Sequence, residues 1–123
     1  MKRALLVEDH RLFREGLAVM LEEHTDLKKT VQAGSLAEVR RIWGHLSGEV
    51  DLVIVDLDLP NGDAISLIDN LRKAEPDVPV LAFTNARSLE QRARALRAGA
   101  DEVLSTASSA KNIVEVVQRF VGE

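Results

Sequence analysis

The chain contains no cysteine and no tyrosine, and only one tryptophan and three phenylalanines among its 123 residues. Without cysteine there is neither a disulfide framework nor a thiolate-ligated metal, which permits a reducing cytoplasm. So few aromatics argue against surfaces that stack bases or flat cofactors. Long hydrophobic runs are missing too. Met1-Lys2-Arg3 opens like a signal peptide, but the apolar stretch behind it, Ala4 to Val7, ends at once in two acids. It is too short for a secretory h-region or a membrane span. Nor does one sign of charge dominate. Sixteen Lys and Arg against 20 Asp and Glu leave a net charge of -4. The basic residues are dispersed, so charge alone gives no nucleic-acid footprint.

What is present is a core's worth of apolar side chains, 46% of the sequence, in a length that suits one compact domain over residues 1–123. Two short apolar runs stop abruptly at carboxylates. Leu5-Leu6-Val7 runs into Glu8-Asp9, and Leu52-Val53-Ile54-Val55 runs into Asp56-Leu57-Asp58. If these are neighbouring parallel strands, the acids meet at one sheet edge. Such a concentration of negative charge is unfavourable without a cation, and a hard divalent metal is the natural one.

Short β-like runs alternate with longer helix-like runs throughout. Strands are expected over Arg3–Val7, Lys29–Ala33, Leu52–Val55, Val80–Phe83 and Val103–Ser105. The first, third and fourth are almost wholly apolar, as central strands covered on both faces are, whereas the second is polar enough for an edge. Ser35-Leu36-Ala37-Glu38 and Ser88-Leu89-Glu90-Gln91 read as capping boxes, and Ser108 or Ser109 as the cap of the last helix. The first helix is expected to bury Leu12, Phe13, Gly16, Leu17, Met20 and Leu21, and the fourth Leu89, Ala93, Leu96 and Ala100. Gly99 fits a helix end that requires a left-handed residue. Five βα units imply a doubly wound α/β fold with a five-stranded parallel sheet. Ligands of such sheets bind beyond the carboxyl ends of the strands, at the topological switch point. The acids and Thr84 fall there.

That placement suits Mg²⁺, which takes one or two carboxylates together with waters and a phosphate oxygen. Asp9 and Asp56 can ligate directly, Glu8 through water, and the backbone carbonyl of Asp58 can add a further oxygen. A carboxylate beside the metal can also attack phosphorus, giving an aspartyl phosphate, with the Thr84 hydroxyl donating to a phosphoryl oxygen.

Four segments, in order, resemble the receiver domain of two-component response regulators over the whole length. Leu6-Val7-Glu8-Asp9-His10-Arg11-Leu12-Phe13-Arg14-Glu15-Gly16-Leu17 is similar to the start of the NarL/LuxR-type subfamily. Asp56-Leu57-Asp58-Leu59-Pro60 resembles the phosphoacceptor segment, with Asp56 as acceptor. Val80-Leu81-Ala82-Phe83-Thr84 resembles the switch-threonine strand, and Ala98-Gly99-Ala100-Asp101-Glu102-Val103-Leu104 the entry to the fifth strand. The resemblance implies a (βα)5 flavodoxin-like fold with strand order 2-1-3-4-5 and a Mg²⁺ site at Glu8, Asp9 and Asp56. It also implies a histidine kinase as phosphoryl donor, a cytoplasmic setting, and contact with DNA only through an output domain that this chain lacks. It implies a signalling switch and not a conventional enzyme, with at most self-phosphorylation from a phosphodonor and autodephosphorylation. The chain departs from the family where Thr106 replaces the usual Lys, Val103 the frequent aromatic, and Asn85 the usual small residue beside the threonine. Thr106 offers a hydroxyl but no charge, and Lys111 lies too far along the last helix to substitute. Arg87 is a weaker alternative still. The expectation is therefore an atypical receiver, or a module that works through a partner without phosphorylation.

Blander readings stand beside these. Asp58 taken alone is a loop acid, and Thr84 a strand-end hydroxyl. His10, His24 and His45 lack ligand spacing and read as solvated helix residues, as do the arginines at 87, 92, 94 and 97. Trp43 reads as packing its helix on the sheet. The last helix carries an apolar stripe wider than one core contact needs, from which Ile113, Val114, Val117 and Val121 are expected to form a partner surface, for a homodimer or another domain. A phosphohydrolase of the haloacid-dehalogenase type also uses an Asp-x-Asp pair, matched literally by Asp56-Leu57-Asp58, but the surrounding sequence and the missing cap speak against it. A flavodoxin-like electron carrier lacks its phosphate loop here.

Overall fold

The computed structural model describes residues 2–60, 63–85 and 89–122. Strands and helices alternate: β1 (Lys2–Val7), α1 (Arg11–His24), β2 (Leu27–Ala33), α2 (Leu36–Leu46), β3 (Leu52–Asp56), α3 (Ala64–Ala74), β4 (Val80–Thr84), α4 (Leu89–Ala98), β5 (Glu102–Ser105) and α5 (Ala110–Phe120). All pairings are parallel, in the order β2-β1-β3-β4-β5. Each expected strand is present and runs one or two residues longer. Asp56 and Thr84 are themselves the last strand residues, because a polar side chain at a strand end still makes ladder bonds.

Alternate residues of each strand face opposite layers, the period-two consequence of the pleat. Leu5, Val7, Val53, Val55 and Ala82 pack with Val39, Ile68, Leu71 and Ala95 of α2, α3 and α4. Ala4, Leu6, Ile54, Leu81 and Phe83 pack with Leu17 and Leu21 of α1 and with Ile113 and Val117 of α5. Trp43 packs at the margin of the first layer.

Side chains end the helices much as expected. Ser35 caps α2 by accepting from the Glu38 amide, while the Glu38 carboxylate reaches back to the amide of Gly34, one residue beyond the usual capping-box partner. Ser109, not Ser108, caps α5. The Ser88 box and Arg87 lie outside the described residues. Gly99 has φ +126°, and an added Cβ there would meet the Arg72 side chain at 3.0 Å. Arg72 fills that space because its guanidinium donates to the carbonyls of Pro76, Val78 and Gly99 and to Asp101. One side chain thus ties α3 to both ends of the β4–α4 unit. Arg92 donates to the Val103 carbonyl at 2.7 Å.

Three helix expectations need correction. Leu12 is 88% exposed on α1, and Ala18 takes the inner position instead. On α4 the buried residue is Ala95, while Leu89 and Leu96 face outward, 80% and 44% exposed. Of the expected stripe, Ala100 is buried and Ala93 half-buried, but the two leucines were misplaced, because alanines and arginines give little hydrophobic contrast around this helix. On α5, Ile113, Val117 and Val121 are at most 5% exposed and belong to the core, so they form no partner surface. The wide stripe exists because α5 wedges against both the sheet and α1. Only Val114 of the expected four stays half-exposed.

Candidate functional site

Register builds the site. Val7 pairs with both Ala33 and Val55, so Glu8 emerges level with Asp56. Asp56 pairs with Phe83 and Thr84 with Ser105, which sets the ends of β4 and β5 beside it. The Leu57 amide donates to the Phe83 carbonyl at 2.8 Å and the Thr106 amide to the Thr84 carbonyl at 3.1 Å, carrying both ladders one rung past the acids and the threonine.

Glu8, Asp9, His10 and Asp56 each present an atom within 4.8 Å of the others. Glu8 is 3% exposed and Asp56 5%. The Glu8 carboxylate accepts from the His10 amide and lies 3.0 Å from His10 Nδ1. Arg14 donates to the Glu8 carbonyl and to Gln32, fixing the turn out of β1. Burial, followed by a hydrogen bond with Glu8, pushes the Asp56 carboxyl up from 3.8 to about 7, against the lowering effect of the Asp58 amide. The Asp58 amide donates to Asp56 Oδ1 at 2.8 Å. His10 is raised above its ordinary value by its Glu8 hydrogen bond first and by the charge of Asp9 next. Asp9 Oδ1 is buried without a hydrogen bond; His10 Nδ1 at 3.6 Å is too far for one. His10, the N-cap of α1, is thus a member of the cluster although its side chain stays 78% exposed to solvent. Its sequence signal was adjacency to Glu8-Asp9.

Across the edge lies a second group. The Asn85 amide donates to Asp58 Oδ2 at 2.7 Å. Thr84 Oγ1 lies 3.2 and 3.3 Å from the two Asp58 oxygens and 3.0 Å from Gln91 Oε1. Gln91 Nε2 reaches the Leu57 carbonyl and Asp58 Oδ1 at 3.5 and 3.4 Å. Thr106 adjoins through its backbone and is half-buried. The Asp58 side chain therefore faces Thr84 and Asn85 and not the acid cluster. Gln91 was not foreseen, and a contact spanning 33 residues leaves no local signal. A groove of about 840 Å³ between α2 and α3, lined by Val39, Trp43, Leu67 and Leu71, lies apart from these acids.

Residues 4–118 match the family model of the response regulator receiver domain. The chain belongs to the response regulator receiver family. Receivers are signalling proteins and not conventional enzymes, which removes the support for a phosphohydrolase. The receiver is 36% identical over 118 residues to the transcriptional activator protein ExaE of Pseudomonas putida, covering 95% of this chain and 54% of that protein. It is 32% identical over 106 residues to the virulence transcriptional regulatory protein PhoP of Salmonella typhimurium, covering 85% of this chain and 45% of that one. It thus spans about half the length of these curated relatives. Among solved structures it is similar to the non-phosphorylated HemR receiver domain of Leptospira biflexa, with TM-score 0.87 and 28% identity, over 100% of this chain and 96% of that one. It is also similar to a response regulator of Burkholderia pseudomallei solved with a phosphorylated aspartic acid, a calcium ion and citrate. There the TM-score is 0.82 at 28% identity, over 96% of this chain and 67% of that one. No helix among the described residues is long and apolar enough to cross a membrane.

Proposed function

We propose that this receiver accepts a phosphoryl group on Asp56 from a histidine kinase, in the cytoplasm, with Mg²⁺ held by Glu8, Asp9 and Asp56 and the Asp58 carbonyl. The observation that carries this reading is the buried Asp9 Oδ1, which accepts no hydrogen bond, in a cluster of three carboxylates and His10. A buried acceptor without a donor is costly, and a hard cation is the partner that an oxygen donor set fits. When bound, Mg²⁺ supplies charge neutralisation for the acids and for the transferring group. The chain's residues do the rest. An Asp56 oxygen attacks phosphorus, the bond from phosphorus to the donor's imidazole nitrogen breaks, and the imidazole leaves with a proton. The Asn85 amide and Thr84 hydroxyl are suited to hold phosphoryl oxygens, and Thr106 contributes no charge there. The added charge shifts the population of the β4–β5 face, which a partner reads.

A phosphorylation-independent interaction module is the second reading, favoured by Thr106 in place of an ammonium. Beyond the family, three further expectations stand as proposals: the NarL/LuxR-type affiliation, the single-domain extent over 1–123, and a transcriptional output reached through a domain outside this chain. Self-association through α5 has Ala110, Val114 and Phe120 left to support it, and sedimentation with a phosphoryl mimic tests it. For the main reading, the protein is incubated with Mg²⁺ and acetyl phosphate and weighed intact. A phosphoryl adduct absent from Asp56→Asn is expected. No adduct from either acetyl phosphate or a kinase, with the fold intact, favours the partner-driven module.

A further inference from the structure

We infer that the Asp58 carboxylate is an internal competitor for the phosphoryl-binding donors, occupying in the unmodified receiver the place a phosphoryl group on Asp56 would take. This rests on the phosphoacceptor reading above. Three donors converge on one side chain. The Asn85 amide is 2.7 Å from Asp58 Oδ2, the Thr84 hydroxyl is 3.2 Å from the same atom, and Gln91 Nε2 is 3.4 Å from Oδ1. The shortest of these is the backbone N–H, the geometry of a charge-assisted bond. Thr84 has one proton, which Asp58 and Gln91 Oε1 contest.

The chain brings this about locally. The Asp58 amide is anchored on Asp56 Oδ1 at 2.8 Å, which turns the next side chain away from the acid cluster and towards the end of β4. A carboxylate there is an anion with two oxygens, set against an N–H and a hydroxyl at a strand end. That is the donor set a tetrahedral oxyanion would use. Position 106 supplies no cation that would let both anions share the space, so phosphoryl oxygens and Asp58 oxygens exclude one another. Modification of Asp56 must first displace Asp58 from Asn85. The receiver is accordingly modified by small phosphodonors more slowly than it would be without the Asp58 carboxylate, and the end of β4 is held in place before any phosphoryl group arrives.

The test is beryllofluoride binding in excess Mg²⁺, followed by amide NMR on wild type, Asp58→Ala and Asp58→Asn, with amide exchange at Asn85 measured in each. Both substitutions leave the Asp58 backbone carbonyl in place. The expected result is affinity about tenfold higher in Asp58→Ala, since one charge-assisted bond no longer has to be broken. A smaller gain is expected in Asp58→Asn, which keeps an acceptor oxygen. Asn85 exchange should be faster in unliganded Asp58→Ala and slowed again by beryllofluoride. Equal affinity in wild type and Asp58→Ala overturns the competition and leaves the phosphoacceptor reading standing. A full gain in Asp58→Asn shows that charge alone acts and likewise overturns it. Binding to none of the three proteins, with native spectra, overturns the phosphoacceptor reading and the competition together.

Discussion

The two halves of the sheet's carboxyl edge solve opposite problems. At the ends of β1 and β3, three carboxylates crowd together with too few donors. Asp9 Oδ1 goes without a hydrogen bond and Asp56 holds its proton up to about pH 7. At the end of β4 the donors are in supply, and the Asp58 carboxylate takes them. One half is built to want a cation, and the other already contains an anion. The difference teaches that, on the proposed function, metal binding and phosphoryl recognition would be separable, although Asp56 and Asp58 lie only two residues apart.

The largest effect that would break this division is on covalent modification. Asp56→Asn should abolish the acetyl phosphate adduct in intact mass, while Asp58→Asn should retain it. Next comes metal affinity. Asp9→Asn should weaken Mg²⁺ binding by roughly ten- to a hundredfold by titration calorimetry, as loss of one charged ligand of a hard cation implies. Thr84→Val, on the other half, should leave it within about twofold. An equal loss in both would merge the two halves into one site. Thr106→Lys brings a cation to the donor half, and beryllofluoride affinity should then rise by about tenfold, the worth of one charge-assisted bond.

The smallest effect is on stability, and its sign follows from the raised carboxyl. Asp56 binds its proton more tightly folded than unfolded, so folding takes up a proton between pH 3.8 and about 7. Stability therefore falls as pH rises through that window. Without divalent ions, Asp56→Asn should melt roughly 3–6 °C above wild type at pH 8 and close to it at pH 4. Mg²⁺ should close the gap at pH 8, because it favours the carboxylate. A gap that is independent of pH would mean that burial of Asp56 costs nothing.

Much of the cation-seeking half was legible in the sequence. Apolar runs that stop at Glu8-Asp9 and at Asp56 are local signals, and parallel pairing does the rest by register. The strand order followed from the resemblance to receivers, while the β2 edge was legible from its polar residues. The donor half was not. Asp58 and Thr84 are 26 residues apart in the chain, and nothing near either announces that one side chain reaches the other. Arg72 illustrates the same blindness, since carbonyl partners have no side-chain identity to read. Helix faces misled where contrast was low, as on α4, or where one helix touches two neighbours, as on α5. There the excess of valines that suggested an outward surface is consumed by the sheet on one side and α1 on the other.

The Arg92 bond to Val103 has a consequence for how copies of this molecule behave towards each other. The Thr106 amide points to β4, so Val103, three residues back on the same strand, turns its carbonyl to the open side of β5. An open strand side is a template on which another chain's backbone can assemble. Here a guanidinium already occupies one of those acceptors. At the opposite border of the sheet, β2 exposes Lys28 and Lys29, which repel a like-charged newcomer. The molecule thus guards its two sheet borders against intermolecular strand addition by different means, a plugged acceptor on one and fixed positive charge on the other.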